Sequence, residues 1–241
     1  VFAVLPPPVT GMTLCTQEVT RRLTEVGPVR CFNLSNDSPT ITWSFRFIKF
    51  IRALRGLAYL LIAPKAADAR VYMSVNANAA LYYNLAAAAI GRLRGYRLVA
   101  HHHVHSYIEK HDSRVVLLDR LLGPKGVHVV HCELMHRQFA AQYNVHADFF
   151  CLQPTIIIRD LPQNKARSHN CDFTLGCLSN LSKEKGLPAV LQTFERVHAN
   201  IRSARLILAG PCGGKEIEQL VHDFCQRFPG RVEYRGPVYG P

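Results

Sequence analysis

The sequence of 241 residues lacks the features that mark disordered, secreted or membrane-spanning proteins. Charged residues make up only 19% of the chain against 48% hydrophobic residues, which excludes a disordered or coiled-coil protein. The eight cysteines form no Cys-x-x-Cys pair and no zinc-finger spacing, so we expect small buried side chains in a reducing compartment. No secretory signal is visible, and the longest stretch free of charge, residues 71–91, is interrupted by Ser74 and three asparagines. These absences predict a cytoplasmic protein.

Acidic residues are also scarce. The chain has 17 Asp and Glu residues and 29 Lys and Arg residues, which gives a net charge of +12. A positive field of this size favours anionic partners, such as nucleotide phosphates, nucleic acid or an acidic membrane surface. The basic residues carry no signature of a nucleic-acid recognition module, so nucleic acid is not an expected partner.

Predicted strands and helices alternate along the whole chain. Apolar strands are predicted to begin near residues 2, 29, 70, 97, 127 and 148, and the alternation resumes with three more strands after residue 171. Strands that are almost continuously apolar indicate parallel sheets covered by helices on both faces. Residues 158–170 are polar and aperiodic, which predicts a linker. We therefore predict an α/β protein with two domains, residues 1–157 and 171–241, the second incomplete because it has half the strands of a full doubly wound sheet.

One loop, residues 176–186, leaves a predicted strand and enters a predicted helix. The amides and the positive dipole at the start of a helix suit a phosphate group. Lys185, with Lys183 nearby, can neutralise a diphosphate, although both can equally be solvated surface lysines. The glycine-rich segment that ends at Lys215 is not a Walker loop, because Ala209 and Glu216 stand where that motif needs Gly and Ser or Thr.

Several segments in sequence order resemble glycosyltransferase family 4. In the second half they are residues 175–187, the helix with Thr193 and Phe194, residues 204–210 and residues 231–238; in the first half they are residues 5–12 and 99–104. The resemblance covers essentially the whole chain. It implies the GT-B fold, in which an acceptor-side and a nucleotide-sugar-binding Rossmann-like domain face each other across a cleft. It also implies transfer of a sugar from a nucleotide diphosphate to an acceptor hydroxyl, with no cofactor, in the synthesis of cell-envelope polysaccharide or glycolipid.

The resemblance implies roles for individual residues as well. Lys185 matches the lysine that neutralises the donor diphosphate, and His103 would hydrogen-bond the donor sugar or the transition state as the catalytic residue. Cys177 stands where the family usually has an arginine, and Ser179, Asn180 or Lys183 could substitute for it. The family's paired glutamates are expected beyond residue 241, so the chain by itself is expected to be inactive. The implied donor-binding residues are Gly11, Asn180, Lys183, Lys185, Gly210, Gly236 and Val238.

Two alternatives stay open at this point. A sugar-nucleotide epimerase of the same architecture would convert the donor with no acceptor, so product analysis with donor alone distinguishes it. A non-catalytic basic module would bind a membrane or RNA with a steep dependence on salt and independently of any sugar nucleotide.

A cluster of histidines ends the strand predicted near residue 97. Alternation along a strand would place His101, His103 and His105 on one face and His102 on the other. Three histidines on one face can bind a transition metal, but no cysteine nearby in the sequence completes the set and no outer partner can be named. We therefore predict no metal site. An ordinary surface or core role is the alternative to the role implied for His103.

Residues 43–57 carry an informative part of the positive charge. At about 100° per residue, cations cover one half of this predicted helix and bulky apolar residues the other. One interpretation is a packed helix with its charged face in water. The other is contact with an anionic lipid surface, with Trp43 or Phe45 at the interface, which would suit a lipid-linked acceptor and a peripheral position on the inner face of the membrane. The cations are Arg46, Lys49, Arg52 and Arg55, and the apolar residues are Phe47, Phe50, Ile51, Leu54 and Leu57.

Overall fold

The computed structural model describes residues 1–35, 43–157 and 173–238, with only the backbone for residues 43–45. The chain divides into two compact units, Val1–Leu161 and Pro162–Pro241, and each unit has its own hydrophobic core. The predicted linker, residues 158–170, lies outside the described residues, so its boundaries stay a prediction.

The larger unit is built around a six-stranded parallel sheet with the order β2-β1-β3-β4-β5-β6. This order reverses direction between β1 and β3, and sheets of this type bind ligands beyond the carboxyl ends of the strands at such a point. The strands are β1 (Phe2–Ala3), β2 (Phe32–Asn33), β3 (Arg70–Val75), β4 (Arg97–His102), β5 (Val127–Val130) and β6 (Asp148–Cys151). The α-helices are α1 (Gly11–Val26), α2 (Trp43–Ile62), α3 (Leu81–Leu93), α4 (Ser106–Glu109), α5 (Ser113–Leu122) and α6 (Glu133–Gln142). Short 3₁₀ helices span Asn78–Ala80 and Pro154–Ile157.

The central strands of this sheet are buried along almost their whole length. In β3 every residue after Arg70 is buried, and Leu98 and Ala100 of β4 are 1% and 0% exposed. Burial on both faces explains why these segments are continuously apolar rather than alternating. The predicted α/β character is therefore confirmed. The four-residue helix α4 was not predicted, because one turn is too short to show a helical period.

The smaller unit contains a separate three-stranded parallel sheet with the order β7-β8-β9. Its elements are β7 (Thr174–Leu178), α7 (Leu187–Asn200), β8 (Arg205–Ala209), α8 (Lys215–Arg227) and β9 (Val232–Tyr234). The two helices bury apolar stripes spaced three or four residues apart, led by Phe194 of α7 and Val221 of α8. That the two units are a pair of Rossmann-like domains in a GT-B arrangement stays a prediction.

Helix α2 packs on the sheet with a side made of small residues. Ala53 and Gly56 are buried, and a Cβ atom added to Gly56 would lie 2.9 Å from the Phe2 ring. The helix can therefore approach β1 closely only through this side. Leu60 lies on the same side and is 8% exposed.

The bulky apolar residues of α2 consequently lie on the surface, which corrects the orientation expected for a packed helix. Phe47 and Phe50 are 57% and 45% exposed, and Ile51 and Leu54 are also exposed; of the five apolar residues only Leu57 packs partly against the core. Of the four cations, Lys49 and Arg52 are half-buried and Arg46 and Arg55 are exposed. The cations and the bulky apolar residues therefore do not divide between water and core. Across the described residues, no helix has the combined length and apolarity to cross a bilayer.

Candidate functional site

Main-chain hydrogen bonds join the loops that follow β7, β8 and β9. The Ser179 N–H donates to the Ala209 carbonyl over 3.1 Å, and the Gly210 N–H donates to the Gly236 carbonyl over 2.8 Å. The Tyr234 hydroxyl donates to the Gly210 carbonyl over 2.9 Å. These bonds bring three loops together at the carboxyl ends of the strands, and we call this surface the carboxyl edge of the smaller unit.

Gly210 is required by the geometry of the carboxyl edge. Its φ is +128°, and a Cβ atom would lie 1.8 Å from the Ser179 carbonyl oxygen. No side chain can occupy that space, since the oxygen belongs to the backbone of the neighbouring loop. The loops that follow β7 and β8 therefore meet at Gly210, and exposed Asn180 comes directly after Ser179.

The two lysines of the loop between β7 and α7 differ in their partners. The Lys183 ammonium forms an ion pair with the Glu216 carboxylate at the start of α8. The Lys185 side chain is exposed, and its ammonium has no acidic partner among residues 173–238. Lys185 is therefore the lysine of this loop whose charge is available to an anionic ligand.

The start of α7 offers fewer free amides than a typical helix N-terminus. The Leu187 N–H donates to the Ser182 carbonyl over 3.2 Å, and Pro188 has no N–H. Of the first three positions, this leaves the Ala189 amide for a ligand. A diphosphate at this helix would therefore depend mainly on the Lys185 charge, whereas the sequence predicts a larger contribution from the helix amides.

The remaining predicted donor residues fall in two places. Val238 is 52% exposed and lies two residues after Gly236, which has φ +69°. Gly11 belongs to the larger unit, where it begins α1 immediately after the capping residue Thr10. No described atom lies within 4 Å of the position that a Gly11 Cβ would take, so packing within the larger unit does not require a glycine there.

At the carboxyl end of β4, three imidazoles lie together on one face of the sheet. The His101 Nδ1 is 2.5 Å from the Tyr72 hydroxyl, and the His103 Nδ1 is 3.1 Å from the His131 Nε2. The rings of His101 and His103 have centroids 4.0 Å apart. The Nε2 atoms of His101 and His103 are both buried and find no hydrogen-bond partner among the described residues.

Burial keeps these imidazoles neutral. Burial, with a smaller contribution from the neighbouring histidines, lowers the pKa of His101 to about 2 and that of His103 to about 3. At neutral pH His103 therefore can donate or accept a hydrogen bond, as the family resemblance implies, but it carries no charge.

The structure corrects the membership of the histidine cluster. β4 ends at His102, so strand alternation no longer holds at His105, which is exposed and caps α4. His131, which follows β5, takes the place expected for His105.

A cysteine missed by the sequence analysis lies beside this cluster. Cys15 of α1 is 1% exposed, and its sulfur lies within 4.8 Å of one ring nitrogen each of His101 and His103. Only the fold brings it there, because Cys15 of α1 and the histidines at the end of β4 are far apart in the sequence. The sequence contains one signal for this contact: the first predicted helix carries a cysteine, and the fourth predicted strand ends in histidines.

On the opposite face of β4, a second histidine network has all of its bonds formed. The His102 Nε2 is 2.8 Å from the His128 Nδ1, and the His128 Nε2 is 3.1 Å from Asp119. The His102 Nδ1 is 3.0 Å from the Tyr107 hydroxyl, and Asp119 also lies 2.8 Å from the His146 Nδ1. A buried network with each group paired stabilises the fold and leaves nothing for a ligand.

Two surface depressions are also present. One is bordered by Glu109 of α4 and Gln138 of α6, and the other by Glu218 of α8 and Tyr234 of β9. Neither includes a residue predicted to bind the donor.

Comparisons with known proteins leave the family open. No family model matches the chain, and no curated protein matches it. Among solved structures, the chain is similar to a chain of the Glycosylation Associate Protein (Gap123) complex from Streptococcus agalactiae. The TM-score is 0.44 and the identity 14%, over 80% of this chain and 38% of the other. The chain thus spans less than half the length of that protein, and a likeness of this size carries no argument about function.

Proposed function

We propose that the carboxyl edge of the smaller unit binds the diphosphate of a nucleotide sugar, and that this binding serves glycosyl transfer to an acceptor hydroxyl. The observation that carries this proposal is the exposed ammonium of Lys185, which has no acidic partner within residues 173–238, on the loop that joins this edge. The ordered succession of segments that resemble glycosyltransferase family 4 supplies the reaction class.

The chemistry follows from the charge that develops as the sugar leaves. Breaking the bond between the sugar and the diphosphate places negative charge on the departing phosphate oxygens. The Lys185 ammonium and the Ala189 amide would stabilise that charge at the start of α7. The backbone of residues 236–238 would meet the nucleotide base, since Gly236 is fixed by its hydrogen bond to Gly210.

The proposal is tested by calorimetric titration of the chain with uridine, guanosine and adenosine diphosphates. We expect one of them to bind and Lys185→Ala to raise its Kd about tenfold, the equivalent of roughly 1.4 kcal/mol for a lost charge-assisted contact. Lys183→Ala should raise it less than Lys185→Ala, because Glu216 already neutralises Lys183.

The matched control is Lys125→Ala, which removes an exposed lysine of the larger unit and changes the net charge equally. Its Kd should equal that of the unmodified chain. A Lys185→Ala chain that binds as tightly as Lys125→Ala would contradict the proposal.

A second property is supported by its own observation, the exposed apolar face of α2. We propose that this face lies on an anionic lipid surface. Twenty residues of helix are about 30 Å long, and the exposed face carries Phe47, Phe50 and Leu54 between the cations Arg46 and Arg55. Bulky apolar side chains flanked by arginines are typical of helices that lie in the membrane interface. Such a contact would bring the chain to a lipid-linked acceptor.

A further inference from the structure

We propose that Cys15, His101 and His103 bind a zinc ion. The three residues come from α1 and from the end of β4, and each offers one ligand atom within 4.8 Å of the others. Cys15 and His101 are buried, and His103 is half-buried. The inference goes beyond the proposed glycosyl transfer, which does not require it.

The unpartnered imidazole nitrogens point to a ligand. Buried polar atoms nearly always find a partner, yet the Nε2 atoms of His101 and His103 have none among the described residues. In both rings the other nitrogen, Nδ1, is engaged, by Tyr72 for His101 and by His131 for His103. Zinc-binding histidines characteristically hold their second nitrogen in this way, which fixes the ring and its tautomer.

The three ligand atoms would have to move only slightly to coordinate a zinc ion. Zinc lies about 2.3 Å from a thiolate and about 2.1 Å from an imidazole nitrogen, so tetrahedral ligand atoms are roughly 3.5 Å apart. The sulfur and the two nitrogens would each have to move by no more than about 1 Å, which is within the reach of side-chain rotation. One thiolate and two imidazoles form a borderline-soft donor set that suits zinc better than magnesium or calcium.

Three protein ligands leave a fourth tetrahedral position open, as in zinc sites that bind water or a substrate oxygen. The proposal gives the Nε2 of His103 to the metal and therefore replaces the hydrogen bond to a sugar that the family resemblance implies for it. The zinc site and the diphosphate site lie in different units, so the two proposals can fail separately.

The test is titration of the metal-free chain with zinc chloride, followed by calorimetry, and with cobalt chloride, followed by absorption. We expect one zinc per chain and, with cobalt, the near-ultraviolet charge-transfer band of a thiolate ligand. Cys15→Ser should abolish the band and weaken zinc binding at least tenfold. Tyr72→Phe keeps the ring but loses the hydroxyl next to His101, and should weaken zinc binding about tenfold or more.

Cys225→Ser is the matched control, because it changes a half-buried cysteine of α8 in the smaller unit and should bind zinc as the unmodified chain does. Circular dichroism checks that each variant folds. If Cys15→Ser does not fold, the cobalt band of the unmodified chain and the Tyr72→Phe affinity decide the question. An unmodified chain that shows no thiolate band, or that binds zinc no better than Cys15→Ser, would overturn the proposal; water would then be the partner of the two nitrogens.

Discussion

At the residue scale, the two faces of β4 use histidine in opposite ways. In the network around His102, one consistent set of tautomers pairs every group. Asp119 accepts from the His128 Nε2–H, His128 accepts from the His102 Nε2–H, and His102 accepts from the Tyr107 hydroxyl. Around His101, by contrast, the Nε2 atoms of His101 and His103 have no hydrogen-bond partner among the described residues and are left for a ligand. The first face is therefore structural and the second is the candidate site.

Asp119 is the one acidic group of the closed network. Burial by itself would raise its pKa, but the hydrogen bonds from His128, His146 and the amides of His146 and Ala147 hold the pKa of Asp119 well below its usual value. The carboxylate is thus stabilised in its charged form and joins α5 to β5 and to the turn before β6.

We expect Asp119→Asn to lower the free energy of unfolding by about 3 kcal/mol at pH 7, because several buried bonds to a charged acceptor are lost. The folded pKa of Asp119 lies below the unfolded value of about 3.9. The stability from the carboxylate is therefore fully present above that value and is lost as the pH falls through it toward the folded pKa. Urea denaturation should show a difference from the unmodified chain that is constant between about pH 8 and pH 5 and shrinks below about pH 4.

Asp148→Asn is the control for this prediction, because Asp148 is exposed at the start of β6. It should change the free energy of unfolding by less than about 0.5 kcal/mol. A difference between Asp119→Asn and the unmodified chain that grows as the pH falls from 5 to 3 would refute the assignment of the shift to Asp119.

Some of these residues could be predicted from the sequence and others could not. Lys185 stands on a loop between a strand and a helix, a local pattern, and the structure finds it there. Cys15 and His131 belong to the cluster only because the fold brings α1, β4 and the end of β5 together. Contacts between such distant segments leave no pattern in the local sequence. Strand alternation predicts His105 in the cluster only if the strand continues to that residue, and β4 ends at His102.

At the scale of elements, α2 shows what a helical period leaves undecided. The helix predicted over residues 43–57 is present and continues to Ile62, since a long apolar helix is a strong local signal. The orientation of the helix differs from the prediction, because apolar residues occur on nearly every side of it. The size of the side chains, and not their hydropathy, decides which side packs on the sheet. Ala53 and Gly56, three residues apart, were the signal of close packing.

The exposed face of α2 leads to a prediction about lipid binding. The chain should co-sediment with vesicles that contain phosphatidylglycerol, and Phe50→Ser should weaken the partition about tenfold or more, since burying a phenylalanine contributes about 1.5–3 kcal/mol. Replacing Arg46 and Arg55 by Gln should weaken binding to the anionic vesicles by roughly fivefold for each residue and have little effect with phosphatidylcholine alone.

The control variant is Leu134→Ser, because Leu134 is an apolar residue of α6 that is 64% exposed. It should bind vesicles as the unmodified chain does. If Phe50→Ser and Leu134→Ser behave alike, or if no variant binds, then α2 is not the membrane contact.

At the scale of the whole molecule, the alternation of strands and helices was predictable because buried parallel strands are continuously apolar. Both sheets and their parallel strands follow from that pattern. The lateral order of the larger sheet, with β1 between β2 and β3, depends on pairing between distant segments and was not predicted. The exposed strand positions of the smaller unit, such as Leu178 at 75%, likewise depend on tertiary surroundings.

Diphosphate binding by the smaller unit is tested most directly by mapping where a nucleoside diphosphate contacts the chain. Amide chemical shifts of the isotope-labelled protein would be followed by nuclear magnetic resonance during titration with the diphosphate that binds most tightly. We expect the largest changes in residues 179–189, 210–214 and 235–238, and small or no changes elsewhere. Changes confined to other segments, or no changes at saturating diphosphate, would contradict the proposed binding.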